Sequence, residues 1–103
     1  MLIRQSKNSY IRCTERYGYI TNQLTQHDRS YNETGADLLR QITREPRDVN
    51  DIVKEIKHIY QDVSESQLRE DFLEFANSLA RDYFVVIGES VEELDEKRSR
   101  AHV

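Results

Sequence analysis

At Asn32 the apolar side chains of this chain change their spacing, from every second residue to every third or fourth. A chain with that switch builds a sheet first and then lays helices against it. Upstream of the switch, residues 10–16 alternate, with Ile11 and Cys13 on one face and Arg12 and Thr14 on the other, as in a half-exposed strand. Gly18 follows as a residue that can supply a turn conformation, and residues 18–22 restart with β-branched and aromatic side chains, so the two stretches read as a hairpin. Residues 23–29 are polar. A turn is expected around residues 25–27 and a short third strand over residues 28–31.

Beyond Asn32 the helical signals follow in order. Asn32 and Thr34 are both good N-caps, Thr34 through a T-x-x-D capping-box-like run to Asp37. Leu38, Leu39 and Ile42 then fall at helical spacing, and Pro46 closes the segment. Asp48 caps a second helix whose Ile52, Val53, Ile56, Ile59, Tyr60 and Val63 form one apolar stripe. Ser64-Glu65-Ser66-Gln67 is a capping box opening a third helix that runs to Arg81 or Asp82. Residues 83–87 read as a final strand closed by Gly88. The fold class expected is α+β, a small three-stranded antiparallel sheet followed by three helices. The helix pair joined by residues 61–64 has helix-turn-helix proportions.

A third of the 103 residues are charged, which suits one small domain. Fifteen Lys and Arg against nineteen Asp and Glu leave a net charge of −4, which weighs against a nucleic-acid partner. No apolar run approaches the roughly 20 residues of a membrane span, and residues 1–7 are too polar for a signal peptide. One Cys cannot form an internal disulfide and fits a reducing cytoplasm. Cys13 reads as a small half-buried hydrophobe, and His27, His58 and His102 as dispersed surface residues rather than a metal-ligand set. Glu70, Asp71 and Glu74 read as a solvated face. No glycine-rich phosphate loop, C-x-x-C or H-E-x-x-H is present, so no catalytic residue, metal or cofactor is assigned.

The third helix carries two apolar lines. At about 100° per residue, Leu68, Phe72, Phe75 and Leu79 cluster as a core stripe, and Arg69, Leu73, Ala76 and Ala80 fall on a second line about 110° away. The second line either widens the core contact or floors a shallow groove with Arg69 at its rim. In the groove reading, a peptide pairs its backbone with an exposed strand and lays apolar side chains over Leu73, Ala76 and Ala80.

The order of elements resembles the PqqD-like proteins. Tyr31-Asn32-Glu33-Thr34-Gly35-Ala36-Asp37-Leu38-Leu39 is similar to that family's L-N-E-T-G/A-x-x-[IL] strand-to-helix junction, with Tyr31 in place of the usual aliphatic residue. Asp48-Val49-Asn50-Asp51-Ile52-Val53 resembles the start of its second helix, and Leu68-Arg69-Glu70-Asp71-Phe72-Leu73-Glu74-Phe75 its third. Residues 79–86 resemble its closing segment, except that Asp82-Tyr83 stands where many members have Gly, so a different turn is expected there. The resemblance covers roughly residues 10–87.

It implies a winged-helix-like RiPP recognition element: a non-catalytic module that captures the leader segment of a ribosomally made precursor peptide and presents it to a maturation enzyme, often a radical SAM protein. The leader would add beside the third strand, at Asp28, Arg29, Ser30 and Tyr31, and lie against Arg69, Leu73, Ala76 and Ala80. Arg69 would meet an acidic leader residue. Residues 1–88 are then the binding domain, and residues 89–103, anchored by Val91 and Leu94, a charged tail that reads as a solvated terminal helix or a linker. Two other readings stay open: a winged-helix DNA-binding regulator, and the N-terminal part of a larger maturase.

Overall fold

The computed structural model describes residues 1–100, and their side chains through residue 97. His102, expected on the surface, and residues 101–103 of the charged tail lie outside the described residues.

The three expected strands form a meander. Strands β2 (Ser9–Cys13), β3 (Gly18–Asn22) and β4 (His27–Tyr31) pair antiparallel in the order β2-β3-β4. Register sets Ile11 opposite Ile20 and Ile20 opposite Arg29. The strand expected over residues 10–16 stops at Cys13, because the chain turns there: the Thr14 amide donates to the Tyr17 carbonyl at 2.8 Å. Gly18 is not a turn residue. It lies within β3, and a Cβ there would sit 3.0 Å from Ala36 Cα and 3.2 Å from Leu39 Cδ2, so its missing side chain lets the next helix approach.

That helix, α1 (Glu33–Leu39), is capped by Asn32, whose side chain accepts from the Gly35 amide at 3.3 Å. It ends at Arg40, well before Pro46. Helices α2 (Val49–Ile59) and α3 (Glu65–Arg81) start at the expected caps, Asp48 accepting from Asn50 at 2.7 Å and Ser64 from Gln67 at 3.2 Å. The α2 stripe is shorter than its spacing suggests: Ile52, Val53 and Ile56 are buried, but Ile59 is exposed.

The strand expected over residues 83–87 forms at residues 85–88, but it belongs to a second antiparallel sheet that the sequence does not announce. Strands β1 (Leu2–Gln5), β5 (Arg47–Asp48) and β6 (Val85–Gly88) pair in the order β5-β1-β6, with Leu2 opposite Gly88 and Gln5 opposite Val85. A fourth helix, α4 (Val91–Arg100), packs over it. Leu94 is fully buried, Arg4 pairs with Asp95, and Lys97 donates to the Ile87 carbonyl at 2.6 Å, whereas Val91, the other expected anchor, is exposed. The described residues are therefore an α+β body of two three-stranded antiparallel sheets and four helices, where one sheet and three helices were expected. The core joins both sheets to α1, α2 and α3 through Ile3, Ile20, Leu39, Ile52, Ile56, Phe72, Leu79 and Phe84. No helix among the described residues is long and apolar enough to cross a membrane.

Candidate functional site

The meander ends on β4, whose outer edge has no strand partner among the described residues. Its backbone donors and acceptors on that side are a template for another strand. Two devices fix where this edge lies. Gln26, at φ 62°, closes the β3–β4 turn and donates to the Asn22 carbonyl at 2.8 Å. The fully buried Asn22 side chain accepts from the amides of Leu24 (2.9 Å) and Thr25 (3.2 Å), and donates to the Tyr83 carbonyl at 2.9 Å. One side chain thus ties the hairpin to the turn after α3. That turn is the one expected to depart from the glycine-containing pattern, and Tyr83 takes the left-handed conformation there, with φ 63°.

Side chains of β4 alternate. Asp28 and Ser30 point to the outer face, where Asp28 accepts from the Tyr19 hydroxyl at 3.4 Å and Ser30 shares a 2.7 Å hydrogen bond with the Tyr17 hydroxyl. Arg29 and Tyr31 point inward, half-buried, toward α3. Arg29 donates to the Ser78 carbonyl (3.2 Å) and hydroxyl (2.7 Å), pairs with Asp82, and sits 5.5 Å above the Phe84 ring. Burial alone would lower the Arg29 pKa, but the Tyr31 hydroxyl and the Asp82 carboxylate outweigh it and hold the guanidinium charged. The Tyr31 ring meets Phe75 edge-to-face, 5.0 Å between centroids, and Phe75 leans in turn on Phe72 at 6.4 Å. Gly35 makes room for this: a Cβ there would press on Tyr31 Cβ, with Cγ at 2.8 Å and Cδ1 at 2.9 Å.

The α3 flank that faces β4 runs through Asp71, Phe75, Ser78 and Asp82, at helical spacings of four, three and four residues, and the strip between it and the open β4 edge is the candidate groove. Asp71 accepts from the Gln67 side chain at 2.8 Å. Three of these four, Phe75, Ser78 and Asp82, touch β4 side chains, and none is assigned to the site from the sequence: Phe75 reads there as core, Asp82 as part of the turn, and Ser78 carries no signal. Of the predicted residues, the structure brings Asp28, Arg29, Ser30 and Tyr31 together on the open edge. Arg69, Leu73 and Ala80 lie roughly 120° or more around the helix from Phe75; Arg69 is exposed, and Leu73 and Ala80 pack on the core. Ala76 is fully buried in that core, whereas Phe75, expected in it, is only half-buried. The buried stripe is Leu68, Phe72, Ala76 and Leu79. The helix is thus turned slightly from the expected angle: small Ala76 fits the close contact and the Phe75 ring stays at the groove.

Among the described residues no group of three or more His, Cys, Asp and Glu side chains converges to hold a metal ion. Burial pushes the Cys13 thiol up, against the opposing pull of Arg40 and of a hydrogen bond with the Tyr19 backbone, away from thiolate character.

No curated protein sequence matches this chain. Among solved structures, "TbiB1 in Complex with the TbiA(beta) Leader Peptide" superposes with a TM-score of 0.69 at 14% identity, covering 84% of this chain and 99% of that one. The family model described as Coenzyme PQQ synthesis protein D (PqqD) matches residues 23–85, from the β3–β4 turn into β6. With more than half of its 103 residues inside that match, the chain belongs to the PqqD family.

Proposed function

We propose that this protein is a non-catalytic, winged-helix-like recognition element that captures the leader segment of a ribosomally synthesised precursor peptide by strand addition at β4. It then presents the precursor to a maturation enzyme of the radical SAM type in the cytoplasm. The observation that carries the reading is the unpartnered β4 edge facing a half-buried aromatic pair, Tyr31 and Phe75. Family membership and the leader peptide held by TbiB1, whose fold this chain shares, support it. Residues 1–88 carry the proposed site and α4 braces them.

In such a site ladder hydrogen bonds hold the peptide backbone whatever its sequence, and alternate side chains are read by the α3 flank. Ordering a flexible leader offsets part of the gain, so a Kd of about 0.1–10 μM is expected. The test is fluorescence anisotropy with labelled leaders of short precursor peptides sought among the genes neighbouring that of this protein. Binding should weaken about tenfold or more in Phe75→Ala, stay unchanged in Arg69→Ala, and disappear for a leader N-methylated at alternate backbone amides in one register but not in the other. Equal binding of leaders methylated in both alternating registers would refute strand addition. Absence of binding by any leader would refute the function.

A further inference from the structure

The charges around the β4 groove are one-sided. On the outer face, Asp28 stands on the edge strand beside Ser30, with Thr21 opposite and the Tyr19 hydroxyl donating to it, and the exposed Arg12 lies two strands away, opposite Tyr19. On the inner face, Asp71 stands one helical turn beyond Phe75 and is exposed. The cation within the groove is Arg29, and its guanidinium is taken by Asp82 and Ser78. Glu74 and Arg81, of opposite charge and two helical turns apart, are exposed further round α3. An entering strand therefore meets two carboxylates and an aromatic pair between them.

The geometry also sets their spacing. The α3 flank runs alongside β4 with Phe75 at Tyr31 and Ser78 at Arg29. Asp71 thus lies about 5 Å past the Tyr31 end, one helical turn beyond Phe75. From Asp28 to Asp71 an extended peptide covers three strand residues and that turn, a span of about five residues. An odd spacing reverses the face, so a side chain beside Asp28 points outward and one five residues away points toward α3.

From this we infer that the groove selects a cationic strand, with two Lys or Arg about five residues apart and an aliphatic or aromatic residue between them packed on Phe75 and Tyr31. This rests on the peptide-capture reading and adds the chemical class of the peptide to it. Opposite charges set side by side across strands are favourable and like charges are not, so a peptide with acids at those positions is rejected.

The test is a display selection of random 12-residue peptides against the protein, against Asp28→Lys/Asp71→Lys, and against Glu55→Lys/Glu92→Lys. The last has the same net charge, with both changes on the exposed faces of α2 and α4. The native protein should enrich peptides with paired Lys or Arg at the stated spacing. Those peptides should bind Asp28→Lys/Asp71→Lys at least tenfold more weakly and the control variant within twofold. Enriched peptides that lose binding in Phe75→Ala but show no charge bias, or bind the control and groove variants alike, overturn the inference while leaving peptide capture standing. If nothing is enriched, or Phe75→Ala binds every enriched peptide unchanged, peptide capture at this groove falls and the inference with it.

Discussion

Replacing Gly35 by Ala sets two physical terms against each other, and the structure decides the sign. Gly35 is the third residue of α1 and carries no left-handed backbone angle, so helix propensity alone favours Ala by about 0.5–1 kcal/mol. The added methyl has nowhere to go, however. It would press on Tyr31 Cβ and lie within 2.8–2.9 Å of Cγ and Cδ1, and a Cβ cannot swing aside as a long side-chain end can. Either β4 moves away from α1 or α1 shifts from the sheet, and overpacking of this kind costs about 1–3 kcal/mol. The expected balance is a loss of about 1–2 kcal/mol, and for a domain of this size a fall in Tm of about 5–15 °C. Urea unfolding followed by far-UV circular dichroism measures it, with the midpoint falling and the slope unchanged. Because Tyr31 also meets Phe75, the resonances of that ring should shift in the variant. A variant more stable than the parent would refute the argument, for it would mean that β4 and α1 are not as closely apposed as described and that Gly35 has no steric role.

Asn22→Ala should cost about 2–4 kcal/mol, since it strips partners from the Leu24 and Thr25 amides and the Tyr83 carbonyl at a buried site; a loss under about 1 kcal/mol in urea unfolding would contradict that accounting. Cys13, its thiol pKa raised by burial, should alkylate more slowly near neutral pH than a cysteine in the unfolded chain and reach half-maximal rate at a higher pH. A folded-state pKa above the unfolded one means that the associated stability is complete below the unfolded pKa and is lost as pH rises through the folded one, so unfolding midpoints should decline in that alkaline window in the parent and less so in Cys13→Ala.

The meander and the first three helices were legible because each leaves a local mark: alternation at Ile11 and Cys13, caps at Asn32, Asp48 and Ser64, and the apolar stripe of α2. Of the second sheet only β6 left a mark, the apolar run over residues 83–87 closed by Gly88; β1 and β5 left none. Leu2-Ile3-Arg4-Gln5 is short, its last two residues are polar yet buried, and its two partner strands begin at Arg47 and Val85, so no local window of sequence contains a pair. The candidate site was legible in one half. Strand β4 follows from its own residues and their place in the meander. The flank of α3 that meets it does not, because the choice between Leu73 and Phe75 depends on how the helix is rotated. That rotation is set by the Arg29 contacts with Ser78 and Asp82 and by the Tyr31 ring on Phe75, none of which a helical wheel contains.

The pairing of Leu2–Gln5 with Val85–Gly88 has a consequence for synthesis on the ribosome. The meander and α1 have all their strand partners within the first forty residues or so and can assemble while translation continues. The opening segment can meet β5 once residues 47–48 emerge, but its longer ladder, over all four of its residues, waits for residues 85–88. Closure of the domain is thus a late event in the life of each molecule, and a nascent chain stalled before Val85 would carry a finished β4 edge on a body still open at its other end.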